Sequence, residues 1–157
     1  RVRPYHLACF DNQWYLFAFD PARGGVRTFV LARMRGAKAL GVRFQRPRDF
    51  SLARYLAGSF GVHSGGTRAT RVRLRFDPFA AQLVRERVWH PSQRIRERTG
   101  GGLDLELELS GFAELERWVL SWGAQVEVLA PAAFRRRIAQ VLGEAGRRYS
   151  GGTASGL

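Results

Sequence analysis

Ten arginines and Lys38 crowd the first 57 positions against only Asp11, Asp20 and Asp49, a net charge of +8. Aromatic side chains are interleaved with them: Tyr5, Trp14, Tyr15, Phe17, Phe19 and Phe29 stand among Arg27, Arg33 and Arg35. A guanidinium is a planar fork of N–H donors that fits a phosphate, and an aromatic face stacks on a base. The mixture therefore points to a surface for nucleic-acid-like anions. On an extended chain the period of two sets Arg27, Phe29, Leu31 and Arg33 on one face. Two arginines on an otherwise apolar strand face need an anion or carboxylates, and carboxylates are scarce here. Arg27 and Arg33 are thus expected to meet a ligand. Trp14, Phe17 and Phe19 are expected to fill a small core, with arginine stems lying over it.

Nothing comparable points to catalysis. Cys9 lies in the apolar run Leu7–Phe10, a setting for a small core residue rather than an activated thiolate. His6, His63 and His90 are isolated, without metal-ligand spacing. Gly58–Gly66 lacks the G-K-[ST] of a phosphate loop and reads as a linker or flap. No catalytic residue, metal or cofactor is expected, and the chain is not read as an enzyme. One cysteine excludes an internal disulfide. No apolar run approaches the roughly 20 residues that span a membrane, and no signal peptide opens the chain. A cytoplasmic protein with no membrane partner is expected.

These residues need elements to position them. The chain has 157 residues, 45% hydrophobic and 25% charged, a composition that folds. Leu7–Phe10 and Trp14–Phe19, separated by Asp11-Asn12-Gln13, read as a hairpin. Asp20–Gly25 is a turn, Arg27–Ala32 and Ala39–Gln45 are strand candidates, and Ser51–Ala57 is a short helix. Several short strands in so few residues predict a small barrel or strongly bent sheet.

Glycine and serine then mark a linker, 58–69. Beyond it, Arg71, Arg73 and Arg75 alternate with Val72, Leu74 and Phe76. Asp77-Pro78 is an N-cap followed by proline at the first helical position. Val88–Arg98 is a less regular strand candidate. Leu103, Leu105, Leu107 and Leu109 alternate with Asp104, Glu106, Glu108 and Ser110. Phe112–Trp122 has helical spacing, Gln125–Leu129 is a strand, and a last helix starts at Pro131. The order βαββαβ plus a helix, over 70–149, is the ferredoxin-like pattern. Its first and third strands are neighbours, which sets the arginine ladder beside the acidic ladder as attracting pairs. Residues 150–157 are expected to form a disordered tail.

Certain segments resemble a known family. Trp14-Tyr15-Leu16, with Pro4-Tyr5-His6-Leu7 before it and Phe19-Asp20 after it, resembles the name-giving motif of the WYL domain. Arg27-Thr28-Phe29-Val30-Leu31-Ala32-Arg33-Met34 is similar to that family's R-x-F-x-L-D-R-I segment, with Ala32 in place of the usual Asp and Met34 in place of Ile. Phe44–Phe50, Ser59–Val62, Trp89–Gln93 and Trp118–Gly123 resemble the join to, and parts of, the C-terminal extension called WCX.

The resemblance implies an α+β chain. Residues 1–57 would be part of an Sm- or SH3-like β-barrel whose first strands precede this chain, followed by a ferredoxin-like extension. It implies the sensing and dimerisation region of a bacterial transcriptional regulator that forms homodimers. A nucleic-acid or nucleotide-like ligand would control promoter binding by a winged helix-turn-helix domain absent from this chain. Tyr15, Arg27 and Arg33 match the positions that would line the ligand surface, with His6, Trp14, Phe29 and Arg35 nearby. A ligand-free protein–protein interaction module is the alternative.

Overall fold

A computed structural model describes residues 1–62 and 68–150 and divides the chain into two units, Arg1–Ala57 and Gly58–Leu157. Most of the linker core, 63–67, and the tail from 151 onward lie outside the described residues. Ser150, assigned to the tail by sequence, is the last residue of a helix.

The first unit is a three-stranded antiparallel sheet in the order β1-β2-β3, formed by Arg3–Phe10, Gln13–Asp20 and Gly25–Val30. The β1–β2 turn consists of Asp11 and Asn12, both left-handed at φ 47° and 60°. These residue types tolerate that conformation, and its twist suits a two-residue hairpin. At the next turn Asp20 accepts a hydrogen bond from the Ala22 N–H at 3.0 Å, and Gly24 takes φ 62°. The short helix α1, Leu52–Leu56, is capped by Ser51, whose hydroxyl accepts from the Arg54 N–H. Its Tyr55 meets Phe17 edge to face at 5.9 Å and donates to the Val26 carbonyl at 3.2 Å. Phe17 is fully buried as a result.

The sheet has three strands and is not a closed barrel. Three sequence expectations are corrected here. Ala39–Gln45 is not a strand, because Gly41 at φ 68° breaks the extended run and no neighbouring strand pairs with it. Trp14 is 53% exposed rather than in the core. Cys9 is exposed as well.

The second unit runs β4 (Thr70–Phe76), α2 (Pro78–Arg85), β5 (Arg94–Glu97), β6 (Leu103–Leu109), α3 (Ala113–Ser121), β7 (Val126–Ala130) and α4 (Ala132–Ser150). Its sheet is antiparallel in the order β5-β6-β4-β7. Asp77 caps α2 by accepting from the Ala80 N–H at 2.8 Å, and Pro78 follows at the first helical position. Gly123 at φ 56° ends the helical run of α3. One face of the sheet carries Val72, Leu74, Phe76, Leu103, Leu105 and Leu107. It is fully buried against Ala80, Ala81 and Val84 of α2, Leu115 and Val119 of α3, and Phe134 and Ile138 of α4. Each fully buried Leu or Val contributes about 1.5–3 kcal/mol relative to exposure. The chain entering β4 is tied to this unit, because the Gly58 carbonyl accepts from the Ser110 N–H at 2.8 Å and the Val62 N–H donates to Glu114 at 2.9 Å.

Candidate functional site

Strand register decides which of the candidate residues can act together. In the β1–β2 ladder His6 stands opposite Phe17 and Ala8 opposite Tyr15; in the β2–β3 ladder Tyr15 stands opposite Val30 and Phe17 opposite Thr28. Directly opposed residues share a face. Tyr15 and His6 therefore lie on the face that α1 covers. Trp14 opposes Cys9, Leu16 opposes Phe29, and Ala18 opposes Arg27. Trp14, Phe29 and Arg27 therefore lie on the other face. The sheet separates Tyr15 from Arg27.

Arg33 is separated in another way. The strand ends at Val30, and Leu31–Arg33 turns as a 3-10 helix. Arg33 no longer follows Arg27 and Phe29 along one strand face, as alternation predicts. Arg35 lies just beyond that turn, exposed like Arg33.

The local contacts of each residue follow from these positions. The Tyr15 hydroxyl donates to Gln13 Oε1 at 3.0 Å, and its ring meets Phe10 edge-on at 6.2 Å. His6 is exposed. Phe29 is half-buried beside Leu16. Arg27 donates from Nη1 to the Val26 carbonyl at 3.0 Å and is exposed. Among the described residues Arg27, Arg33 and Arg35 form no ion pair; the first unit's ion pair joins Arg23 to Asp20 at 3.8 Å. Three guanidiniums thus stand in water without a carboxylate, which is the state that can accept a phosphate.

The second unit shows the opposite electrostatics. Arg71 stands opposite Glu108, Arg73 opposite Glu106 and Arg75 opposite Asp104, the register that the ladder reading required. Arg75 holds Asp104 through two hydrogen bonds, 3.0 Å from Nε and 3.4 Å from Nη2. That contact raises the Arg75 pKa above its ordinary value. Arg71 reaches Glu108 at 3.8 Å. The middle rung is different: Glu106, 8% exposed, pairs with Arg96 of β5 at 3.5 Å, and among the described residues Arg73 is left without an ion pair. Arg98 adds a second contact to Asp104 at 3.8 Å. At Arg71 and Arg75 an incoming anion would have to displace carboxylates already in place.

Beyond Arg35, the sequence reading assigns no site role to Lys38, Arg43, Arg46 and Arg48. Reading Ala39–Gln45 as a strand assigned Arg43 to a sheet face. The dense basic composition from Arg33 to Arg48 was the signal available. Among the described residues no group of His, Cys, Asp and Glu could hold a metal ion, and no helix is long and apolar enough to cross a membrane.

Comparison with known proteins adds the family. The WCX domain matches residues 68–146, half of the chain, and the WYL domain matches residues 1–39. The chain belongs to the WYL–WCX family. These are domains of regulatory, non-enzymatic proteins. No curated protein matches the sequence. Among solved structures, proteasome accessory factor B/C (PafBC) of Arthrobacter aurescens is 23% identical, with a TM-score of 0.44 over 99% of this chain and 23% of that chain. A CRISPR Cas-related protein is 12% identical, with a TM-score of 0.57 over 96% of this chain and 43% of the other. The second likeness shows a shared fold alone. This WYL–WCX chain spans less than half the length of either solved chain.

Proposed function

We propose that the chain is the ligand-sensing and dimerisation region of a cytoplasmic, bacterial WYL-type transcriptional regulator. In this reading residues 1–57 are the WYL portion, related to Sm- and SH3-like barrels, and 70–149 are a ferredoxin-like WCX extension. The unit binds an anionic, nucleic-acid-like ligand. Preferential binding to one arrangement of the homodimer then biases promoter binding by a winged helix-turn-helix domain outside this chain. The observation that carries this is the set of carboxylate-free arginines Arg27, Arg33 and Arg35 in the WYL unit. Phosphates would go to Arg27 and Arg33. Trp14 and Phe29, on the Arg27 face, supply the aromatic contact there, while Tyr15 and His6 serve the opposite face.

Binding of single-stranded DNA to the chain, titrated against salt, tests this. A phosphate contact gives a loss of affinity with salt, and Arg27→Ala or Arg33→Ala each lowers the slope of log K against log salt by about 0.7. Binding that neither substitution changes rejects the site. A second reading, a ligand-free interaction module, is favoured by one observation: Leu7 and Trp14 on the Arg27 face are 54% and 53% exposed, an apolar pair that a protein partner could cover.

A further inference from the structure

Helix α4 runs from Ala132 to Ser150, yet its buried residues, Phe134 and Ile138, both lie in its first half. The apolar spacing does not stop with them. Ile138, Leu142, Ala145 and Tyr149 follow at intervals of four, three and four, which keeps them on one stripe of the helix. Leu142 is 45% exposed and Tyr149 89% exposed, with Val141 and Ala145 half-buried beside them. No residue of 139–150 is buried among the described residues. A helical segment this short is marginal in water by itself, and Gly143 and Gly146 each weaken it by about 1 kcal/mol relative to alanine. Helices of this kind are held by packing of their apolar face, and this stripe lacks such packing beyond Ile138.

We infer that the outer half of α4 is a homodimer seam, covered by the same half-helix of a second copy packed antiparallel. The inference rests on the homodimer part of the reading above and deepens it by giving the surface. The charges beside the stripe favour this occupant. Glu144 and Arg148 are four residues apart and share one side of the helix. Glu144 accepts from Gln140 Nε2 at 2.9 Å, and among the described residues Arg148 forms no ion pair. A twofold near Gly146 sets Arg148 of each copy beside Glu144 of the other, a self-complementary arrangement. The same operation lays Tyr149 over Leu142 of the partner subunit, and the open space beside Gly146 lets the backbones approach. A parallel pair would set Arg148 against Arg148. An acidic partner would satisfy Arg148 but turn like charge toward Glu144. The paired segments are about 18 Å long, short for a standard interface of about 800 Å² per partner, so the association is weak and concentration-dependent.

Sedimentation equilibrium of the full chain, from about 1 μM to several hundred μM, tests this. The expected result is a monomer–dimer equilibrium that Leu142→Glu/Tyr149→Glu weakens about tenfold or more. Arg148→Glu sets Glu against Glu across the seam and Glu144→Arg sets Arg against Arg, so each alone weakens the dimer. The two together in one chain restore it, which a purely structural role of either residue would not produce. Arg136→Glu, on the side of α4 away from the stripe, makes the same change of net charge and should leave the dimer as it is. Circular dichroism of each variant should match the parent. A dimer that Leu142→Glu/Tyr149→Glu leaves unchanged overturns the seam, while the homodimer of the proposed function stands on another surface. Single reversals that weaken the dimer without rescue by the pair overturn the antiparallel arrangement. A parent that stays monomeric at the highest concentration rejects both the seam and the homodimer. If that monomer binds a designed acidic amphipathic helix through Leu142 and Tyr149, the face belongs to an acidic partner instead.

Discussion

The two units carry the same kind of excess charge and treat it differently. The WCX unit has fifteen arginines against ten acids, and the WYL unit has eleven cations against three acids. In the former, strand register sets carboxylates level with guanidiniums, so Arg71 and Arg75 spend their charge inside the molecule. In the latter, among the described residues, Arg23 pairs with Asp20, and the remaining cations form no ion pair. The units also differ in where apolar mass goes. The WCX sheet has one sealed face, whereas the small WYL sheet leaves Leu7 and Trp14 in water. Net charge therefore says little by itself; the placement of acids in register decides which arginines remain free to bind.

The largest effect that could break this contrast is in the cores. Leu105 is fully buried between β4 and β5, so Leu105→Ala should cost about 2–5 kcal/mol in urea unfolding. Trp14→Ala should cost about 1 kcal/mol or less, since half of the ring is already in water. Equal costs would show that the Trp14 ring packs as tightly as Leu105 does. Next comes the ladder. A double-mutant cycle on Arg75 and Asp104 should show a measurable, salt-sensitive coupling, and one on Arg73 and Glu106 none, because Glu106 is held by Arg96. Coupling of Arg73 to Glu106 would mean that the register partner outcompetes Arg96.

The smallest effect concerns pH. Arg85 donates to Glu97 from Nε at 2.9 Å, and this contact holds the Glu97 carboxyl below its ordinary pKa. A carboxyl lowered in the folded state adds stability above its unfolded pKa, and that stability fades as pH falls through the folded value. Glu97→Gln should therefore lower the melting temperature slightly at pH 7, with a difference that shrinks as the pH falls below the ordinary carboxylate range. A difference that grows on acidification would contradict the pairing.

The WCX unit was legible because two independent patterns agreed. Alternation placed Arg71, Arg73 and Arg75 on one side of a strand and Asp104, Glu106 and Glu108 on one side of another, and the βαββαβ order made those strands neighbours. The WYL unit was less so. Alternation along Ala39–Gln45 tells which side chains would share a face, but not whether a partner strand exists, and it is blind to the left-handed Gly41. Alternation through Arg33 assumed a strand that the backbone turns out of at Leu31. The split between Tyr15 and Arg27 depends on pairing across two turns, which the lengths of Asp11-Asn12 and Pro21–Gly24 set and residue types along the strands do not.

The exposed stretch from Arg33 to Arg48, without helix or strand beyond Arg33, is a line of cleavage sites. Proteases that cut after arginine or lysine meet five cleavable sites in open chain there, after Arg33, Arg35, Lys38, Arg43 and Arg48, since Pro47 follows Arg46. A cut within it leaves the WCX core whole. It removes from the WYL sheet its covalent link to Phe50 and Tyr55, the latter being the ring that seals Phe17. Limited digestion would therefore degrade the WYL unit while sparing the extension.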